Sequence, residues 1–147
     1  MAGVPLLGSW TSFQPGFRLL DGGQVYALAN QVAGSTYGIT AKASGTQADA
    51  TLLPTGQNTV TVVGTTSDSV GLPVSQQGMT ALVVNQSANT MQVYGATYNA
   101  ATATSDVIIP HNSTSPAGAT TGVAQATAVG ALYVCLTTGT WKQLLFS

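Results

Sequence analysis

Ionic side chains are nearly missing from this chain: only 5% of its 147 residues are charged, against about 25% in an average soluble domain. Glutamate is absent, the acidic residues being Asp21, Asp49, Asp68 and Asp106, and the basic side consists of Arg18, Lys42 and Lys142. Three basic groups spread along the whole chain cannot neutralise the several phosphates on which nucleic-acid affinity rests, so no nucleic-acid partner is expected. Paired-carboxylate acid and base chemistry would have to be assembled from aspartates in separate turns, with His111 as the single histidine. Glu, Lys and Arg are also the residues that furnish exposed helix faces, and their scarcity beside abundant Val, Thr and Tyr biases the chain towards sheet.

Cysteine is nearly as scarce. Cys135 stands alone, which excludes an intrachain disulfide, and its place between Val134 and Leu136 marks it as a small buried apolar side chain. Long apolar runs are missing too, because Gly, Thr or Ser interrupts every block, so neither a leader peptide nor a bilayer span is expected and no membrane partner. A zinc site normally takes three or four ligands, which His111, Cys135 and the aspartates do not supply in any motif spacing. No Gly-x-Ser-x-Gly elbow occurs, no two glycines stand at i and i+2, and neither lysine follows a glycine. The chain therefore reads as a non-enzyme with no catalytic residue, no metal and no cofactor.

What remains is a polar but uncharged, β-forming chain of single-domain length. Hydrophobic residues make up 44% of it, and a net charge of -1 resting on so few ionic groups promotes association over free solution. Residues 1–34 read as an extended N-terminal arm that gathers Trp10, Phe13, Phe17, Leu19 and Leu20 among Gly and Pro. Asp21 could cap one short helix there from about Gly23, with Val25, Leu28, Ala29 and Val32 on one face.

Residues 35–147 read as a β domain of short strands separated by turn residues, an antiparallel sandwich or barrel of jelly-roll type. Asn58 to Val63 alternates, with Val60 and Val62 on one face and Thr59 and Thr61 on the other. Met79 to Asn85 is nearly continuously apolar and reads as a central strand covered on both sides. After a polar turn, Met91 to Gly95 would complete a hairpin with it, Met91 and Val93 pointing inward. Leu72-Pro73 and Pro110 end strands, and His111 to Thr121 is a long loop. Ala131 to Thr137 and Thr140 to Phe146 flank Thr138-Gly139, an antiparallel hairpin signature.

Several distinct short series follow one another in order along the chain. They are Arg18-Leu19-Leu20-Asp21-Gly22, Gly38-Ile39-Thr40-Ala41, Asn58-Thr59-Val60-Thr61-Val62, Asp68-Ser69-Val70-Gly71-Leu72-Pro73, Met91-Gln92-Val93-Tyr94-Gly95, and Tyr133-Val134-Cys135 with Gly139-Thr140-Trp141. Together the chain resembles small β-rich virion structural proteins of tailed bacteriophages, which occur as head decoration, or cement, proteins and as fibre modules. The resemblance implies a place on the capsid surface after synthesis in the bacterial host cytoplasm. The implied partners are the major capsid protein and further copies of the chain, as a homodimer or homotrimer. The alternative is a head-fibre or tail-fibre adhesin module that binds host-surface glycan. Under the decoration reading Trp10, Phe13, Phe17, Arg18, Leu19 and Leu20 are the candidate partner-binding residues, since aromatic anchors in desolvated pockets dominate interface energetics.

Overall fold

The computed structural model describes residues 18–21, 24–27, 34–54, 56–118 and 120–146. The chain divides into two units, Met1–Ala33 and Gly34–Ser147, and all regular structure among the described residues is strand.

The first unit contributes a ribbon of β1 (Arg18–Asp21) and β2 (Gln24–Ala27), antiparallel, with Leu19 opposite Tyr26 and Leu20 opposite Val25. The helix expected from about Gly23 is thus corrected at its start, where Val25 lies in β2. In the sequence Gly22-Gly23 matches the Gly-Gly hairpin signature equally well, and the β-branched and aromatic pair Val25-Tyr26 suits a strand better than a helical turn. Leu28, Ala29 and Val32 lie outside the described residues.

The second unit holds two sheets that share one apolar core. The larger runs in the order β3 (Ser35–Thr40), β5 (Gly56–Val62), β7 (Thr80–Asn85), β11 (Gly130–Thr137), β12 (Thr140–Phe146) and β9 (Val107–Ile109). The smaller runs β10 (Val123–Gln125), β8 (Met91–Tyr94), β6 (Ser69–Gly71) and β4 (Thr51–Leu52). From β3 to β10 the chain changes sheet at every step.

That alternation corrects the antiparallel, jelly-roll expectation. A strand that returns to its own sheet only after crossing the other one arrives pointing the same way as its predecessor. Hence β3 with β5, β5 with β7, β4 with β6 and β6 with β8 are parallel, as are β12 and β9. Parallel neighbours ordinarily need a crossover connection, and here the crossover is a strand of the facing sheet. The sheets are mixed, since β7–β11, β11–β12 and β8–β10 are antiparallel.

The same alternation overturns the hairpin expected between Met79–Asn85 and Met91–Gly95: β7 and β8 belong to different sheets. Side chains of the connecting turn build a corner. Asn85 Nδ2 donates to the carbonyls of Asn89 and Gln125 at 2.9 and 3.1 Å, and its Oδ1 accepts from the Ser87 N–H and hydroxyl at 3.1 and 2.6 Å. Asn89 Nδ2 in turn reaches the carbonyls of Val63 and Gly64. Short polar side chains that bond neighbouring backbone let the chain leave the sheet plane without orphaned groups.

Burial follows strand parity. Val60, Ala81, Val83, Ala131, Tyr133, Cys135 and Trp141 point inward from the larger sheet and meet Val70, Met91, Val93 and Val123 from the smaller one. Met91 and Val93 are buried as expected, whereas Val62 is exposed. The hairpin of β11 and β12 is present, its turn closed by Gly139 at φ 92°, a region that L side chains avoid.

Asp68 anchors the turn before β6. Its carboxylate accepts from the Thr65 hydroxyl at 2.6 Å, the Gly64 N–H at 2.7 Å and the Ser44 N–H at 3.1 Å. The Thr65 hydroxyl first, then the Ser44 amide, holds the carboxyl below the usual carboxylate range, against a smaller opposing effect of burial. A depressed folded value means that the ionised form favours the fold. The stabilisation is therefore complete above the ordinary aspartate value of about 3.9 and is lost as pH falls through the lower folded value. Asp68→Asn should melt below the parent at pH 7, and the gap should close in acid; urea titrations at both pH values check it, and a pH-independent gap would be contrary.

Candidate functional site

Of the residues singled out for partner binding, Arg18, Leu19 and Leu20 lie in β1, paired with Ala27, Tyr26 and Val25. Trp10, Phe13 and Phe17 lie outside the described residues. Three other groupings in the second unit carry polar or surface chemistry.

The first is a buried cluster beneath the β11–β12 turn. Asp106 accepts from the Ser75 N–H at 2.8 Å and from Asn99 Nδ2 at 3.0 Å. Asn99 Nδ2 also reaches the Ser75 carbonyl and hydroxyl at 2.9 and 3.1 Å, and the Ser75 hydroxyl accepts from the Gly139 N–H at 2.6 Å. Asp106, Asn99 and Ser75 are all buried, which removes Ser75 from any solvent-borne substrate. Cys135 lies close by, its thiol donating to the Thr137 carbonyl at 3.1 Å. Burial first, and the Asp106 charge as a lesser cause, push that thiol up, so it stays protonated and unreactive.

The second is a chain of side chains threading the core. Gln125 Nε2 donates to the carbonyls of Val83 and Val129 at 2.8 and 2.9 Å, while its Oε1 accepts from the Tyr133 hydroxyl at 3.0 Å. Gln143 Nε2 donates to the Tyr133 oxygen at 3.0 Å, and Gln143 Oε1 faces the backbone N–H and ring Nδ1 of His111, each at 3.3 Å. Burial pushes the Tyr133 phenol far up. The chain joins β10 of one sheet to β11 and β12 of the other, so its role is to register two sheets. His111, on an exposed loop, meets an amide here and neither a hydroxyl nor a thiol. Among the described residues no three of His, Cys, Asp and Glu converge as metal ligands would.

The third grouping is the surface. Of the ionic residues between 34 and 146, Asp68 and Asp106 are buried, which leaves Lys42, Asp49 and Lys142 as the only charges facing solvent there. Lys142 is itself partly occupied, its Nζ donating to the carbonyls of Pro110 and Ser113 at 2.7 Å each. The outer face of the larger sheet bears Leu82, Val84, Leu132 and Val134 half-buried, with Leu144 and Phe146 43% and 52% exposed. Met79 to Asn85 holds a central strand of its sheet, and among the described strands of the second unit those of the smaller sheet cover one of its sides. Every other described strand of the unit lies in the same sheet or in the one behind it.

Strand parity in the sequence marks the buried polar residues only in hindsight. Asp106 stands two residues before the inward Ile108, and Gln143 two after the inward Trp141. Comparison of the chain with models of known protein families, with curated proteins and with solved structures finds no match.

Proposed function

We propose that this chain is a structural protein of a tailed-phage particle, a capsid decoration or cement protein that binds the assembled head shell by bridging major capsid proteins. The observation that carries the reading is the surface: three solvent-facing charges between residues 34 and 146, beside apolar side chains left open on a sheet face. Such a surface suits lasting protein contact better than free diffusion. The buried Ser75, Asp106 and Cys135 groups are engaged in structural hydrogen bonds, which fits a mechanical role. The two sheets sharing one core are read as a sandwich, a rigid body that an arm can tether to the shell.

The energetic logic is linkage. A protein that binds the expanded shell and not the loosened one stabilises it by about 2.7 kcal/mol per site at a hundredfold excess over its dissociation constant. Modest affinity therefore suffices once it is repeated over a lattice.

Removing residues 1–20 tests the arm. The truncated chain loses most of β1 but should keep a folded second unit, read as a cooperative thermal melt, and lose co-sedimentation with expanded capsids; undiminished co-sedimentation would remove Trp10, Phe13, Phe17, Arg18, Leu19 and Leu20 from the interface. The adhesin reading draws on Tyr37 and Tyr98, 74% and 60% exposed, since tyrosine faces suit sugar stacking. Labelled-antibody micrographs separate the two: decoration places many copies over the head, a fibre module a few at a vertex or the tail.

A further inference from the structure

We infer that the outer face of the six-stranded sheet is a two-fold interface between two copies of this chain. The inference goes beyond the virion reading and does not need it.

Every sheet edge of the second unit is blunted against strand addition. β3 carries register shifts around Gly38, a positive-φ residue; β4 has two residues, β10 three, and β9 three with Pro110 directly after. Short, bulged or proline-ended edges are the ordinary protection against edge-to-edge pairing. Copies are thus kept from joining through backbone ladders, yet the outer face of β7, β11 and β12 gathers Leu82, Val84, Leu132, Val134, Leu144 and Phe146.

On that face the strand registers align side chains in rows. Leu82 stands opposite Leu132, and Leu132 opposite Leu144. Gly130 lies between Val84 and Phe146, and a side-chain carbon added to it would touch both, at 3.9 and 3.8 Å. The glycine leaves a shallow trough flanked by Val84 and Phe146, beside the leucine row.

Charge favours a second copy as the occupant. In an isologous contact each residue near the axis meets its own symmetry mate, so any ionic group there confronts a like charge. The only ionic group on β5, β7, β11 and β12 is Lys142, and its ammonium is turned to the Pro110 and Ser113 carbonyls. Area agrees. The six strands, about 4.8 Å apart and about six residues long at about 3.3 Å each, span on the order of 500 Å² in projection. Side chains standing off that plane raise the accessible area towards the roughly 800 Å² that each partner gives a standard interface. Two such faces pack as aligned sheets about 10 Å apart, and the two-fold contact closes on itself with this face covered in both copies.

The test uses the full chain in size-exclusion chromatography with light scattering, at low ionic strength. The parent should run at twice 14.8 kDa. Leu132→Lys and Leu132→Asp should each run as folded monomers by circular dichroism, and mixing them in equal amounts should restore the dimer through opposite charges at the axis. Phe146→Ser, at an exposed strand end where folding is safe, should weaken the dimer at least about tenfold, the value of one well-packed aromatic contact. A monomeric parent, a dimer indifferent to Phe146→Ser, or a lysine and aspartate mixture that stays monomeric would each overturn the interface. Capsid co-sedimentation of the same samples keeps the two proposals apart: a monomer that still binds shells sinks only the dimer, and a dimer that ignores them sinks only the virion role.

Discussion

Trp141→Ala should lower the unfolding free energy by about 3–5 kcal/mol, the cost of removing a large aromatic from a core that cannot collapse around the gap. Trp141 is fully buried in β12, set between Cys135 of β11 and Ile108 of β9, its partners in the sheet. No disulfide shares the load, since Cys135 is the chain's single cysteine. For a unit of this size the loss corresponds to a fall in Tm of roughly 10–20 °C. Trp141→Phe is the informative contrast. The indole Nε1 has no hydrogen-bond partner among the described residues, and an orphaned buried donor costs about 1–3 kcal/mol. Phenylalanine leaves a smaller void and also removes that donor, so its net loss should stay below about 2 kcal/mol. Thermal and urea melts of the two variants check the pair; equal losses would mean that the N–H is satisfied in solution.

The contrast bears on which features the sequence makes legible. Parity exposes what is decided locally. Ala131 to Phe146 alternates around Thr138-Gly139, and the hairpin, with Cys135 and Trp141 inward, follows from neighbours alone. Met91 and Val93 turn inward for the same reason. Which sheet a strand joins is decided elsewhere. Gln86 to Asn89 has the composition of a hairpin turn, yet Asn85, Ser87 and Asn89 spend their polar groups on a corner between sheets, a choice set by the distant carbonyls of Val63 and Gln125. Parallel pairing is invisible for the same reason, because β3, β5 and β7 find one another across intervening strands.

The candidate contact surface divides similarly. The scarcity of charge is a property of composition and is plain from the residues. The apolar run of β7 suggests a strand covered on both sides, but a run shows only that both faces are apolar. Whether Leu82 and Val84 meet their own chain or another is a question of what folds over them, and no described strand of the second unit does. Burial of Asp106 is the least legible feature, since an aspartate before a strand reads as a turn residue until its partners from Ser75 and Asn99 are in place.

Asp106→Ala should therefore cost about 3 kcal/mol, more than an exposed turn aspartate would, because it strips a charge-assisted acceptor and leaves the Ser75 N–H buried and unpaired. Asparagine is no remedy: both carboxylate oxygens accept, one from the Ser75 N–H and one from Asn99 Nδ2. An amide in their place offers one acceptor and turns an NH2 towards a donor, so Asp106→Asn should lose at least half as much. The damage should also be local. Asp106 holds the segment that enters β9, and β9 is tied to the β11–β12 turn through the Val107 N–H donating to the Gly139 carbonyl at 2.9 Å. The Gly139 N–H reaches back to the Ser75 hydroxyl. Loosening this knot frees β9, an edge strand of three residues, before the rest of its sheet, since it is laddered to β12 on one side only. Hydrogen exchange of Asp106→Ala should accelerate first at Val107 and Gly139 while the amides of Val83 and Tyr133 keep most of their protection. Uniform acceleration would show instead that the cluster supports the whole core.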